Sequence, residues 1–189
     1  MTIHSKPTWS AGRIIILGAA GLFLIALALG AIIPGGLQLR ITPVNPTQAP
    51  LLVLPIEPDE RFTVHYFHSV ENAPIWETHS IDARGDIYIE EERYEKFGAG
   101  MGRMPGIGRM ARRGKYEVIE NMHMPTGNFI LRIGSPGVDH TIIWRHTRTN
   151  LSAMAPHVAV QFSARPISWL HRRLRQMCPH PRTPPHKEF

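Results

Sequence analysis

Arg61–His68 reads RFTVHYFH, eight residues dominated by aromatic and β-branched side chains. Such side chains fit a pleated, half-buried surface and lose rotamer freedom in a helix, so the stretch predicts a strand. Working outward, Ala73–Ile81, Gly85–Glu90, Lys115–Met122, Asn128–Ile133, His140–His146 and Pro156–Phe162 share its character, with turn-forming residues between them. Short strands repeated in this way predict a mainly β fold, an antiparallel β-sandwich or open barrel. Glu91–Phe97 reads differently. Glu92 and Lys96 stand four apart and Gly98 can cap them, which predicts one helical turn.

Upstream of the strands, Ile14–Ile33 (IIILGAAGLFLIALALGAII) has twenty residues without a charge, proline or hydroxyl. Twenty helical residues rise about 30 Å, the thickness of a bilayer's hydrocarbon core. Lys6 and Arg13 precede the span and only Arg40 follows closely, a bias that puts the N-terminus in the cytoplasm. The alternative is a cleaved signal peptide, for which Ala28-Leu29-Gly30 offers small residues at the right spacing. Either reading exports the rest of the chain.

Pro34-Gly35-Gly36 stops the helix, and Pro43, Pro46, Pro50, Pro55 and Pro58 then predict an extended spacer in which Leu51–Leu54 could pair as an edge strand. The expected organisation is a cytoplasmic N-terminus over 1–13, a transmembrane helix over 14–33 and a proline-rich linker over 34–60. A β-rich extracytoplasmic domain over 61–163 and a basic tail over 164–189 follow. Within the tail, Arg165–Met177 reads as a short basic amphipathic helix and the proline-rich remainder as disordered.

Charge is unevenly spread. Residues 51–100 carry eleven acids against four bases, whereas residues 101–115 carry five bases and no acid. Segregation of this kind suits complementary faces within one molecule or an anionic partner such as phospholipid head groups. No aromatic-interleaved motif accompanies the arginines, so no nucleic acid is expected as a partner. Cys178, the single cysteine, cannot close an intramolecular disulfide.

Four groups of residues bear on chemistry. His68, Ser69, Glu71, Glu77 and His79 contain the elements of a hydrolase, but Ser69 lies outside any Gly-x-Ser-x-Gly elbow. Gly98, Gly100, Gly102, Gly106 and Gly108 fail the dinucleotide fingerprint because Arg103 stands where the third glycine belongs. They read as a flexible loop whose Arg103, Arg109, Arg112 and Arg113 can meet an anion. Met101, Met104, Met110, Met122 and Met124 with His123 have donors suited to Cu(I), although methionine more often fills gaps in packing. The eleven histidines show no zinc spacing. No catalytic residue, metal or cofactor is expected.

Phe67-His68-Ser69-Val70-Glu71 with Pro74 and Glu77, then Gly98-Ala99-Gly100-Met101, and later Phe129-Ile130-Leu131-Arg132-Ile133, resemble the bacterial domain of unknown function eighteen-fifty. The resemblance covers about Arg61–Phe162. It implies a small membrane-anchored or secreted protein associated with TRAP-type transporter permeases and their TAXI-type solute-binding proteins, and it supplies no catalytic residues. The expected protein is therefore a non-enzymatic accessory of a solute transporter. It sits single-pass in the bacterial inner membrane with its domain in the periplasm, and it contacts the permease, its solute-binding protein and membrane lipid. The alternatives are a periplasmic hydrolase using His68, Ser69 and Glu77, or a periplasmic domain that binds a metal or small ligand. His68, Ser69, Val70, Glu71, Pro74, Glu77, Gly98, Gly100 and Arg103 are the expected family-motif and partner-contact residues.

Overall fold

The computed structural model describes residues 11–45, 47–96 and 106–177. These divide into two compact units, residues 36–166 and a second unit formed by the segments on either side of them.

Unit 36–166 is mainly β, as its alternating apolar residues predict. Twelve strands run through the described residues: β1 (Pro34–Pro43), β2 (Leu52–Ile56), β3 (Arg61–Phe67), β4 (Pro74–Ile81), β5 (Ile87–Tyr94), β6 (Arg109–Arg113), β7 (Tyr116–Glu120), β8 (Met124–Pro125), β9 (Phe129–Arg132), β10 (Thr141–Trp144), β11 (Thr147–Asn150) and β12 (Ala159–Ser168). One sheet has the order β2-β1-β12-β9, and the larger has the order β11-β10-β3-β4-β5-β7-β6 with β8 on β5. Neighbours such as β3 and β4, or β9 and β12, pair antiparallel. Between the sheets lies one core, to which β1 contributes Leu37, Leu39 and Ile41, β2 Leu54 and Ile56, β3 Phe62 and Val64, and β12 Val160 and Phe162. Successive side chains of a strand point to opposite faces, and this alternation puts Leu37, Leu39 and Ile41 together on the inner face.

The expected linker over 34–60 is corrected here. Its first half is β1, whose core residues are almost wholly buried, and β2 pairs with it from Leu37↔Ile56 to Ile41↔Leu52. Pro55 is tolerated because β2 is an edge strand and its side chain points to solvent. The helical turn expected over Glu91–Phe97 is also absent as far as Lys96. Glu91–Tyr94 belong to β5, held between β4 and β7, and the cross-strand pairing outweighs the single Glu92–Lys96 spacing. Nor is Arg109–Arg113 a loop. It forms β6 on β7, where Arg109 and Arg113 pair with Glu120, and Arg112 stands 3.7 Å from Glu117. Much of the charge segregation read from the sequence is thus satisfied within this sheet.

Two close approaches depend on glycine. Gly85, at φ 95° in the β4–β5 turn, would carry a Cβ 2.8 Å from the Ala164 carbonyl oxygen. A Cβ on Gly35 would stand 2.5 Å from the Ser168 carbonyl. A short helix, α2 (Leu151–Met154), follows β11 and is capped by the Asn150 side chain, which accepts from the Ala153 N–H at 3.0 Å.

The other unit holds α1 (Ala11–Ile32) and α3 (Trp169–Met177). Ile15–Ile32 of α1 is long and apolar enough to cross a membrane, and its large side chains are exposed all round. The tail expected to begin at 164 instead continues as strand to Ser168 before α3 starts. The disorder expected beyond Met177 lies outside the described residues.

Candidate functional site

The structure distributes the expected motif residues over two places. His68, Ser69, Val70 and Glu71 form the turn between β3 and β4. Its backbone closes through the His68 N–H donating to the Ala73 carbonyl at 2.9 Å and the Asn72 N–H donating to the His68 carbonyl at 2.9 Å. The Nδ1 of His68 accepts the Glu71 N–H at 3.2 Å, so this imidazole shapes the turn. Ser69 is exposed, and Val70 stands 77% exposed at the tip. Pro74 opens β4 opposite Phe67. Glu77 lies three residues further along β4, about 10 Å by strand rise, with its side chain on the inner face. His68, Ser69 and Glu77 therefore do not converge. Gly98, Gly100 and Arg103 lie outside the described residues, as do Met101 and Met104.

Glu77 enters a different constellation. The register sets Val64, Glu77 and Glu92 side by side across β3, β4 and β5, with Tyr66, Ile75 and Tyr94 in the next inward row. A bulge between Thr78 and His79 makes this possible. His79 pairs with Ile89 and Thr78 with Glu91, leaving Glu90 as the extra residue. The extra residue reverses the parity of β5, so that Ile87 and Ile89 face inward before it and Glu92 and Tyr94 after it. Without the bulge Glu92 would point away from Glu77.

Each carboxylate has its own phenol. The Tyr66 hydroxyl donates to Glu77 Oε1 at 2.7 Å, and the Tyr94 hydroxyl donates to Glu92. His79 Nε2 stands 3.8 Å from Glu77 Oε2, and its side chain is only 3% exposed while that of Glu77 is 28% exposed. The His79 ring is stacked between Phe62 at 5.1 Å and Phe129 at 5.3 Å, and Phe129 lies against Phe162 at 4.5 Å. These rings come from both sheets and make the apolar floor of the site. On the far side His140 stacks on Tyr66 at 4.9 Å, while its Nδ1 accepts the Gly134 N–H at 2.9 Å.

Protonation follows from this setting. Burial pushes the Glu77 carboxyl up, but the nearby His79 imidazole and the Tyr66 hydrogen bond outweigh it and hold the group below the ordinary carboxylate value. Glu92 moves the other way, raised by burial and by the Glu77 charge against the opposing Tyr94 hydrogen bond. Two adjacent carboxyl groups whose proton affinities are driven apart lose their protons in separate steps. Burial raises both phenols and lowers His140. The His140 Nδ1 lone pair is already used, which also favours the neutral ring.

This arrangement can hold and relay a proton, or accept donors from a polar group entering at the open side of Glu77. Among the described residues, no three His, Cys, Asp or Glu side chains form a metal-binding group. The sequence alone pairs Glu77 with His79 on one strand face, and they do share it. Tyr66, Glu92, Tyr94 and His140 escape that reading. For Tyr66 the signal exists, since it continues the inward series Phe62, Val64, Tyr66. For Glu92 the bulge removes it.

Residues 62–151 match the family model described as domain of unknown function (DUF1850). This stretch is similar to the DUF1850 family. It begins inside β3 and ends at the start of α2, so it contains every residue of the carboxylate–phenol–histidine constellation except Phe162 of its floor. Three of the four strands in the smaller sheet, β1, β2 and β12, fall outside the DUF1850 match, yet they close the core over it. No curated protein and no solved structure matches the chain.

Proposed function

We propose that this protein is a non-enzymatic, membrane-anchored accessory subunit of a TRAP-type (TAXI) solute transporter, with its β domain on the periplasmic side. The observation that carries the proposal is the junction between helix and domain. Ile33 alone separates α1, an apolar helix of spanning length, from β1, a strand of the domain's core. A domain tethered this closely meets partners that lie in or on the membrane. The exposed β3–β4 turn is the contact the proposal assigns, with Val70 as its apolar tip; binding residues concentrate on loops positioned by a rigid scaffold. The separation of His68, Ser69 and Glu77 supports a non-catalytic role. Favouring a small-ligand domain as the second reading is the partial opening of Glu77 to solvent above an otherwise buried polar network.

Affinity capture of the full chain from membranes in mild detergent tests the proposal. A transporter permease or its solute-binding protein should co-purify with the wild type, and Val70→Asp should weaken that capture about fivefold or more while leaving the circular dichroism spectrum unchanged. Capture of neither protein under conditions that preserve other membrane complexes would count against it.

A further inference from the structure

The C-terminal helix α3 meets the end of α1. The Trp169 N–H donates to the Ile33 carbonyl at 2.8 Å, and Arg172 donates to the Gly35 carbonyl at 2.9 Å, so α3 supplies donors to carbonyls at and just beyond the C-terminal end of the apolar helix. Gly30 allows the approach, because a Cβ there would lie 3.3 Å from the Trp169 ring and 3.5 Å from Leu170. Ser168 caps α3 by accepting the His171 N–H at 3.3 Å. The helix contains no acid, its basic residues include Arg172 and Arg173, and Arg173 lies over the Trp169 ring at 5.3 Å. Its remaining large apolar side chains are left outside, with Trp169 44%, Leu174 52% and Met177 71% exposed.

An exposed apolar side, arginines and a tryptophan on one short helix are the marks of a segment that lies along a membrane surface. What places this one is its partner. If Ile15–Ile32 spans the hydrocarbon, residues 30–35 stand at its exit boundary, where tryptophan rings settle and arginine side chains reach head groups. We infer that α3 is an interfacial anchor on the leaflet where α1 emerges, with Leu174 and Met177 inserted among lipids and Arg172 and Arg173 at anionic phospholipid head groups. The inference rests on the membrane reading of α1 and adds a second attachment to the same bilayer.

The test uses the full chain with Cys178→Ser and Leu174→Cys, labelled at 174 with an environment-sensitive fluorophore. It is reconstituted in phosphatidylcholine vesicles with or without phosphatidylglycerol. After a carbonate wash the protein should float with the vesicles of both kinds. With phosphatidylglycerol the label should shift to shorter wavelength, resist aqueous iodide and be quenched by brominated lipid. Adding Arg173→Glu should return iodide quenching toward that of a label at Val70→Cys. A Met177→Cys label should repeat the pattern. If the protein floats but the label at 174 is as open to iodide as the one at 70, the inference fails alone. Protection without brominated-lipid quenching would mean that protein covers α3, and would also overturn it. Failure to float would overturn the membrane reading of α1, and this inference with it.

Discussion

Glu77 and Glu92 stand opposite each other on neighbouring strands, yet their environments pull their protonation apart. Glu77 is held below its ordinary range, so its share of stability is present above the unfolded carboxylate value and is lost as pH falls through the folded one. Tyr66→Phe removes one of its donors and should cost about 1–2 kcal/mol at pH 7 by urea unfolding, with the penalty shrinking once the carboxyl is protonated. Glu92 is raised, which reverses the sign. Folding is favoured with the proton on, and stability falls as pH rises from the unfolded value through the folded one. Glu92→Gln keeps an acceptor for Tyr94 and removes the charge. It should raise the unfolding free energy at pH 8 by more than the roughly 0.5 kcal/mol expected of an ordinary surface change, and should gain little at pH 4. His140 is lowered by burial, so its contribution is complete above about pH 6.5, the unfolded histidine value, and declines as pH falls below it. Comparing His140→Gln with the wild type at pH 7.5 and 5.5 should show a flatter pH dependence in the variant. A steeper one would contradict the neutral, Nδ1-accepting ring.

At the scale of elements, the strands most legible in sequence are those that carry runs of aromatic and β-branched residues, such as β3 and β4. β1 was hidden by proline, whereas the edge strand offered at Leu51–Leu54 corresponds to β2. Five prolines between 41 and 58 read as a spacer, although Pro43 ends a strand and Pro55 occupies the solvent side of an edge strand. Local composition also misled at Glu91–Tyr94, where a helical spacing lost to pairing on both sides. Glu92 could not be read as a site residue, because its inward aim depends on a bulge set by β4–β5 pairing and not by local pattern. The core position of β1 has a measurable consequence. Leu39→Ala should destabilise the domain by about 2–5 kcal/mol, and a chain trimmed to 61–163 should show no cooperative thermal transition, whereas one covering 34–168 should. If the shorter chain melts cooperatively at a similar temperature, β1 and β2 are dispensable.

Considered as a whole molecule, the chain carries an apolar helix joined almost directly to a domain whose larger sheet falls within the family-model match. Exchanging Leu22 and Leu24 for arginine, at about 2.5–3.5 kcal/mol each near a helix centre, should move the protein out of the carbonate-resistant membrane fraction. N-terminal sequencing of the membrane-bound form should find the helix retained, and a mature start at Ala31 in a soluble fraction would refute anchoring. The smaller sheet places β12 next to β1, so the first strand of the domain finds a central neighbour only in the last. Contacts so distant along the chain close slowly and late. On the proposed periplasmic placement, therefore, β1 emerges long before its partner, and the nascent domain waits incomplete, with one apolar strand edge uncovered, until the final strand clears the translocation channel. Ribosome stalling just before residue 159 should leave the exported segment sensitive to protease, and release of the full chain should make it resistant.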